Sequence, residues 1–249
     1  MTKSLTRALT LTTAVAVFGA ATSVSVTPAE AATVVIDNFE PGQNNGPFAP
    51  PNTIGPVPGV VGGFRTITNV VDPIFTGIGG TPGNGAAFFF GFAGSPGSSS
   101  LVWDGNAGIP SGLGGVDISP ALLGANPRIL STVSNAANLN AGSDAILEVF
   151  ENGTGTVSTN TVDLTTLTTG DEIEFNYADF DTAINFGNVG AIRLTVNLIP
   201  IGASQPSFGF NTALVAIPFN FQSTLGLVAL GGMAGAYALS KKRKKALQA

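Results

Sequence analysis

The stretch that decides the fold class reads Ile192-Arg193-Leu194-Thr195-Val196-Asn197-Leu198, in which apolar and polar side chains alternate without a break. Successive side chains of a β-strand point to opposite faces of the sheet. The alternation therefore predicts a half-buried strand, with the apolar side chains on a core face and the polar ones on the other.

Other short β-rich runs recur along the chain, separated by Gly, Pro, Asn, Asp and Ser. The predicted strands cover residues 33–39, 60–71, 86–92, 98–103, 128–133, 145–151, 156–164, 172–177, 189–198 and 207–216. The run 86–92 is the most hydrophobic of these and is predicted to be a central strand buried on both sides. Between the strands we expect a long loop at 43–58, a Gly-rich turn at 77–85, and a connection at 106–126 with one helical turn after Ser119-Pro120.

Many short strands without a convincing helix predict an all-β fold for residues 32–216. We expect an antiparallel β-sandwich with jelly-roll topology. An up-and-down barrel fits the same spacing of turns and stays open as the alternative. The length suits one domain and is too short for two ordinary ones.

Charge is distributed very unevenly along the chain. The region 32–216 contains three arginines, no lysine and fourteen acidic residues, so its formal charge is −11, whereas the whole chain carries −5. A surface this negative repels phosphate backbones, which excludes nucleic acid as a partner.

The chain contains neither cysteine nor histidine. Disulfides, thiol chemistry, histidine-activated nucleophiles and histidine-ligated zinc are therefore excluded. A pair of carboxylates is the remaining route to catalysis, and a glycosidase needs two of them about 5–9.5 Å apart. We expect no cofactor.

Residues 1–31 are predicted to be a signal peptide. Lys3 and Arg7 supply the basic start, an uncharged apolar stretch follows, and Ala29 and Ala31 form the small-x-small pattern of a cleavage site. Cleavage after Ala31 would export the rest of the chain. The alternative is an uncleaved N-terminal anchor.

The segment 217–249 is predicted to attach the chain to a membrane. Residues 219–240 carry no charge, and as a helix they would cover about 30 Å, the thickness of a bilayer core. A basic block follows them, made of Lys241, Lys242, Arg243, Lys244 and Lys245. Such a block stays on the cytoplasmic side, which places the region before it outside. The alternative is an amphipathic or buried helix.

The motif at the start of this segment resembles a known bacterial sorting signal. Its residues are Pro218, Phe219, Asn220 and Phe221. Followed by an apolar segment and a basic end, they are similar to the PEP-CTERM class, in its variant Pro-Phe-Glu-Phe. The resemblance implies handling by an exosortase-type transpeptidase. Because Asn220 stands where the variant has Glu, we expect anchoring first and cleavage second.

A second resemblance concerns the exported region. Its opening, Val35-Ile36-Asp37-Asn38-Phe39-Glu40, is similar to the start of several galactose-binding-like sandwiches and carbohydrate-binding modules. Tyr177-Ala178-Asp179-Phe180, followed by Val189-Gly190-Ala191-Ile192, resembles their penultimate strands. This likeness implies a sandwich fold and a carbohydrate ligand.

Five side chains are candidates for a site in the exported region. Trp103, the only tryptophan, can either stack on a sugar ring or pack in the core. Asp37 and Glu40, together with Asp179 and Asp181, can either form an oxygen-ligand calcium site or remain solvated carboxylates at turns.

The leading hypothesis is a non-enzymatic exported protein of the cell surface or extracellular matrix, held at a membrane by its C-terminal helix. The alternative is a glycan-binding module that takes an extracellular polysaccharide. A carboxylate-pair glycoside hydrolase is the third hypothesis.

Overall fold

The computed structural model describes residues 33–40, 42–81, 84–105, 109, 111–123, 127–211 and 213–217. The predicted signal peptide and almost all of the predicted membrane segment, including the sorting motif and the basic block, lie outside these residues. Within the described part, no helix has the length and apolar character that a membrane crossing requires.

Over the described residues the chain forms fourteen strands and one short helix. The strands are β1 (Val34–Asp37), β2 (Gln43–Asn45), β3 (Asn52–Ile54), β4 (Arg65–Val71), β5 (Ile74–Thr81), β6 (Asn84–Gly91), β7 (Gly97–Trp103), β8 (Arg128–Ala137), β9 (Asp144–Glu151), β10 (Val157–Asp163), β11 (Glu172–Asn176), β12 (Val189–Leu198), β13 (Ser207–Phe210) and β14 (Leu214–Ile217). The helix α1 spans Pro120–Leu123, and 3-10 turns span Val61–Gly63 and Tyr177–Asp179.

These strands form two antiparallel sheets, which confirms the predicted β class. The hydrogen-bonded order in the larger sheet is β1-β14-β8-β13-β6-β5-β2. Strand β8 pairs with β14 over residues 128–130 and with β13 over residues 133–137, and β11 also pairs with β8, over residues 128–132. The smaller sheet has the order β10-β9-β12-β7-β4-β3. Neighbours such as β13 and β6 lie far apart in the sequence, so the described strands do not follow an up-and-down order, in which each strand pairs with the next.

The core lies between the two sheets, as in a β-sandwich. In β12, Ile192, Leu194, Val196 and Leu198 are fully buried, while the polar residues between them are partly exposed. This confirms the predicted alternation. The two sheets also share polar contacts across the core, because Thr76 Oγ1 of β5 donates to Ser99 Oγ of β7 over 2.7 Å.

Three parts of the predicted order are wrong. The segment 77–85 is not a turn, because β5 occupies Ile74–Thr81 and pairs with β6 along its whole length. The predicted loop 43–58 contains β2 and β3, and the predicted strand 207–216 is divided into β13 and β14. Hydrogen bonding to strands on both sides outweighs the low β propensity of the glycines in β5. The helical turn after Ser119 is confirmed by α1.

Candidate functional site

Asp37 lies at the centre of a buried polar cluster, not at the surface. It is the last residue of β1, and its side chain and that of Arg65 are both 0% exposed. Arg65 Nη1 donates to both carboxylate oxygens over 2.8 and 2.7 Å, and Arg65 Nε donates to Gln43 Oε1 over 2.9 Å. Since β1 belongs to the larger sheet and β4 to the smaller one, this ion pair joins the two sheets.

Trp103 completes this cluster and does not stack on a ligand. Its side chain is 0% exposed, and its indole Nε1 donates to Asp37 Oδ2 over 2.8 Å. The sugar-stacking interpretation of Trp103 is therefore wrong, and the core interpretation is confirmed. Burial raises the pKa of Asp37, while Arg65, Trp103 and the Phe39 amide act in the opposite direction.

The other predicted calcium ligands do not join Asp37. Asp181 accepts hydrogen bonds from the Thr159 amide and the Ser158 hydroxyl, and the Thr159 amide contributes most to lowering its pKa. Asp179 accepts a hydrogen bond from Asn176 Nδ2 over 3.3 Å. In the described part of the chain, no three metal-binding side chains come together, so Asp37, Glu40, Asp179 and Asp181 do not form the calcium site considered for them.

A different group of side chains lies on the outer face of the larger sheet. Ala87 and Phe89 of β6 point into the core, so Phe88 and Phe90 point outward, where they are partly exposed. Phe75 of β5 lies opposite Phe90 in the register. The ring centroids of Phe88 and Phe90 are 6.2 Å apart, and those of Phe75 and Phe90 are 6.4 Å apart. We call Phe75, Phe88 and Phe90 the aromatic strip.

Glycines leave these rings uncovered by neighbouring side chains. Gly77 of β5 and Gly209 of β13 lie on either side of Phe88 in the register. A Cβ atom at Gly209 would come within 2.8 Å of the Phe88 ring, and one at Gly77 within 3.1 Å of the Phe75 ring. Any larger residue at these two positions would press against the strip.

Polar groups border the aromatic strip. Asn44 of β2 is exposed and lies opposite Gly77. On the other side, Asn135 Nδ2 donates to Ser207 Oγ over 2.6 Å, and Ser207 lies opposite Phe90. Amide and hydroxyl groups beside exposed rings can hydrogen-bond a ligand that lies on the rings.

The prediction that 86–92 is buried on both sides is wrong, because Phe88 and Phe90 are partly exposed. The strand is central, since β6 lies between β13 and β5, but its outer face is partly exposed. Residues 88–90 are all phenylalanine, so the inward and outward positions of the strand look alike in the sequence. Gly77 and Gly209, which lie opposite Phe88, indicate that the outer face of β6 is open. Their position can be recognised only once the pairing of β5, β6 and β13 is known.

The outer face of the smaller sheet differs in chemistry. Arg193 of β12 is paired with Glu148 of β9 and lies 5.4 Å above the centre of the Phe150 ring. The hydroxyl residues Thr68, Ser100 and Thr195 follow one another across β4, β7 and β12. Among these residues the one aromatic side chain, Phe150, is 8% exposed and lies beneath Arg193, so it does not offer an open ring for stacking.

Comparison with known proteins gives distant structural likenesses. No protein-family model matches the sequence, and no curated protein matches it. The fold is similar to a family 11 carbohydrate-binding module from Clostridium thermocellum, with 12% identity and a TM-score of 0.39 over 68% of this chain and 95% of that one. A family 30 carbohydrate-binding module of the cellulosomal cellulase Cel9D-Cel44B of the same organism gives 14% identity and a TM-score of 0.42, over 76% and 99%.

An agarase, AgWH50C, is also similar, with 7% identity and a TM-score of 0.36, over 62% of this chain and 24% of that one. With identities and TM-scores this low, these likenesses say nothing about the ligand or activity of this chain.

Proposed function

We propose that this chain is an exported, non-enzymatic β-sandwich protein that binds a neutral polysaccharide on the aromatic strip. The observation that carries the proposal is the group of three neighbouring, partly exposed phenylalanine rings on one sheet face. The face of an aromatic ring is electron-rich and attracts the partly positive C–H groups of a sugar ring. The polar border supplies hydrogen-bonding groups for the sugar hydroxyls.

The charge of the domain favours a neutral ligand. Arg65, Arg128 and Arg193 each form an ion pair with a carboxylate, namely that of Asp37, Glu174 or Glu148. The cations of the domain are therefore already engaged, while acidic residues outnumber them heavily. An anionic polysaccharide would meet repulsion at this surface.

The contacts of three acidic side chains also support a non-enzymatic role. Asp37 is buried against Arg65, Glu148 is engaged with Arg193, and Glu174 accepts a hydrogen bond from Arg128 over 2.6 Å. None of these three acids lies on the aromatic strip. The groups identified beside the strip are the amides of Asn44 and Asn135 and the hydroxyl of Ser207, which bind sugars but do not hydrolyse them.

The test is affinity electrophoresis of the full chain in gels that contain a soluble neutral polysaccharide, with mixed-linkage β-glucan, galactomannan and xylan as probes and polygalacturonate as the anionic counterpart. We expect at least one neutral polymer to retard the wild type and polygalacturonate to have no effect. Phe88→Ala and Phe90→Ala should each weaken binding about tenfold, because each removes one stacking ring.

Phe90→Leu serves as the matched variant, since it keeps an apolar side chain but removes the ring, and it should weaken binding as Phe90→Ala does. Val157→Ala, at an exposed apolar position on β10 of the smaller sheet, should bind like the wild type. Retardation by a neutral polymer that is unchanged in all the strip variants would refute the role of the strip.

The terminal segments support a proposed location. The signal peptide predicted at 1–31 and the motif Pro218, Phe219, Asn220 and Phe221 with its basic block support export and membrane attachment, with an exosortase-type enzyme as the processing partner.

Within the sandwich we propose a jelly-roll of the galactose-binding-like kind. Its support is the antiparallel pairing of strands that are distant in the sequence.

A further inference from the structure

The two ends of the sandwich differ in what they carry. Strand β8 runs between them, from Arg128 to Ala137. Ile217 lies opposite Arg128 and Val34 lies opposite Ala216, so the described chain enters β1 and leaves β14 at the Arg128 end. The opposite end, which we call the Ala137 end, is built from the connections that follow β2, β4, β6, β8, β10 and β12.

Exposed apolar side chains concentrate at the Ala137 end. Among the described residues, eight large apolar side chains are exposed, and five of them belong to these connections or to the strand ends beside them. We call these five the apolar tip: Phe48, Val70, Val71, Phe92 and Ile201. Single exposed apolar residues need no explanation, whereas a group of them at one place indicates an interaction site.

Hydrogen bonds and strand pairing bring the members of the tip together. The Phe48 amide donates to Asp72 Oδ1 over 3.1 Å, which brings Phe48 to the connection between β4 and β5. Phe92 comes directly after β6, whose last residue pairs with the first residue of β5. The Ile201 amide donates to the carbonyl oxygen of Asn138 over 3.1 Å, next to the end of β8. The members thus come from both sheets, at the same end.

Phe48 is the most exposed member, since 77% of its surface is accessible. Its φ of 59° lies in the left-handed region, which is unfavourable for a bulky residue. The bond to Asp72 and a second one, from Asn69 Nδ2 to the carbonyl oxygen of Gly46 over 2.6 Å, hold the loop in this shape. Neither the exposed ring nor the strained backbone stabilises the free domain, and strain of this kind persists mainly at functional sites.

An open pocket of about 240 Å³ lies beside the tip. Its wall includes Val71 of the tip, together with Pro96 and Ile199. An apolar side chain of a partner can be buried there without losing hydrogen bonds to water. Pockets that take one such side chain contribute much of the affinity of protein interfaces.

The formal charges at the Ala137 end are all negative. Its segments 46–51, 69–74, 91–97, 137–144, 163–171 and 198–207 contain four aspartates and no arginine, lysine or histidine. The aspartates are Asp72, Asp144, Asp163 and Asp171. A partner that carries positive charge beside its apolar side chains is therefore attracted, and an anionic partner is repelled.

We propose that the apolar tip docks a basic protein segment. Its apolar side chains cover Phe48 and Phe92 and fill the pocket, and its lysines or arginines meet the four aspartates. The apolar contact supplies most of the affinity, and the charges select the partner. A second copy of this chain is disfavoured, because its own tip would bring the same aspartates and no cation. The docking does not require a polysaccharide on the aromatic strip.

The experiment passes the full chain over immobilised synthetic peptides and follows its retention by biolayer interferometry. The probes are an amphipathic Leu-Lys peptide with helical periodicity, its Leu-Glu counterpart, and a Gly-Lys peptide with the same number of lysines. We expect the Leu-Lys peptide to retain the wild type, and the other two to bind about tenfold more weakly or not at all, because each lacks one of the two features. Retention by the Leu-Lys peptide should fall as the salt concentration rises.

Two tip variants and two controls assign the binding to this end of the domain. Phe48→Ser and Phe92→Ser should each weaken binding of the Leu-Lys peptide about tenfold, because each removes an exposed ring. Val35→Ser and Val157→Ser make the same apolar-to-polar change at exposed positions outside the tip, and they should bind like the wild type. All four side chains are exposed, so the melting temperature should stay close to that of the wild type.

The proposal is overturned if the Leu-Lys peptide does not retain the wild type, if the Leu-Glu peptide binds as tightly, or if the tip variants and the controls have equal effects. It is also overturned if Phe48→Ser abolishes self-association of the wild type in sedimentation, or its binding to phosphatidylcholine vesicles, since a second copy or a lipid would then be the occupant. Phe88→Ala should keep full peptide binding. Peptide binding without any retardation by polysaccharide would refute the function proposed for the strip and leave the tip standing.

Discussion

Asp37 and Arg65 show how single residues hold the two sheets together. The Asp37 carboxylate accepts hydrogen bonds from Arg65, from the Trp103 indole and from the Phe39 amide, the last over 2.7 Å. Every one of these groups is buried. Removing one member of such a cluster leaves a charge in the core without its partner, and this is strongly unfavourable.

We therefore expect Arg65→Met to lower the free energy of unfolding by about 3–5 kcal/mol. Urea unfolding followed by tryptophan fluorescence measures the change directly, because Trp103 belongs to the cluster. Arg193→Met is the control, since the Arg193 side chain is 35% exposed and its pair with Glu148 should contribute at most about 1 kcal/mol. Equal losses in the two variants would contradict the structural role assigned to Arg65.

Two exposed aspartates make stability depend on pH. The hydroxyl and amide of Thr165 hold the pKa of Asp163 below its usual range, and the amide and hydroxyl of Thr168 do the same for Asp171. A carboxyl whose pKa is lower in the folded state stabilises the protein above its unfolded pKa, and the contribution is lost as pH falls through its folded pKa.

The double variant Asp163→Ala with Asp171→Ala should be less stable than the wild type at neutral pH. The difference should shrink as the pH falls below about 4, the ordinary value for aspartate. Urea unfolding midpoints across a pH series test this expectation. A difference that stayed constant down to the lowest pH would mean that the charges of these two residues do not support the turns.

At the residue scale the sequence identified Asp37 and Trp103 as unusual but could not assign their surroundings. Whether an aspartate binds a metal, meets water or pairs with an arginine depends on what the fold brings next to it. Arg65 lies 28 positions from Asp37 and Trp103 lies 66 positions away. Nothing in the local pattern around Asp37 indicates either partner.

At the scale of elements, the aromatic strip depends on the pairing of β5, β6 and β13. Gly209 has to be small, because a Cβ there would lie 2.8 Å from Phe88, 2.8 Å from Ser134 Oγ and 3.0 Å from the carbonyl oxygen of Ala87. The backbone oxygen cannot move aside without disturbing the pairing of β6 with β13.

We expect Gly209→Ala to destabilise the protein by about 1–3 kcal/mol through overpacking, and to weaken polysaccharide binding by displacing Phe88. Gly46→Ala is the matched control, because a Cβ there meets no atom within 4 Å. That variant should be as stable as the wild type or slightly more so. Thermal unfolding and affinity electrophoresis measure the two effects, and wild-type behaviour of Gly209→Ala would contradict the packing described for Phe88.

The strands differ in how well the sequence pattern predicts them, as β12 and β5 illustrate. β12 was predicted from its alternation, because its two faces meet environments of opposite polarity. β5 was missed, because its inward residues Ile74, Thr76 and Ile78 are separated by small or aromatic residues on the outer face. A glycine that makes room for a ring on the next strand looks, in the sequence alone, like a glycine in a turn.

At the scale of the whole molecule, the sequence predicts a negatively charged domain between two membrane-directed termini. The domain's arginines are all committed to ion pairs, whereas the block from Lys241 to Lys245 concentrates half of the basic residues of the chain. A domain of this charge is repelled by anionic lipid. Attachment to a membrane would therefore have to come from the terminal segment and not from the sandwich.

Deleting residues 219–249 should accordingly release the domain into the medium, where it should keep its β-rich circular dichroism spectrum and its affinity for a neutral polysaccharide. Fractionation of cells and immunoblotting measure the distribution. Replacing the basic block by neutral residues is the companion variant, and it should impair retention while leaving the apolar segment intact. Asn220→Glu restores the residue of the motif that this chain resembles, and it should increase cleavage if an exosortase-type enzyme recognises the segment. A truncated chain that remained in the membrane fraction would refute the anchoring role, since the sandwich alone would then be responsible for attachment.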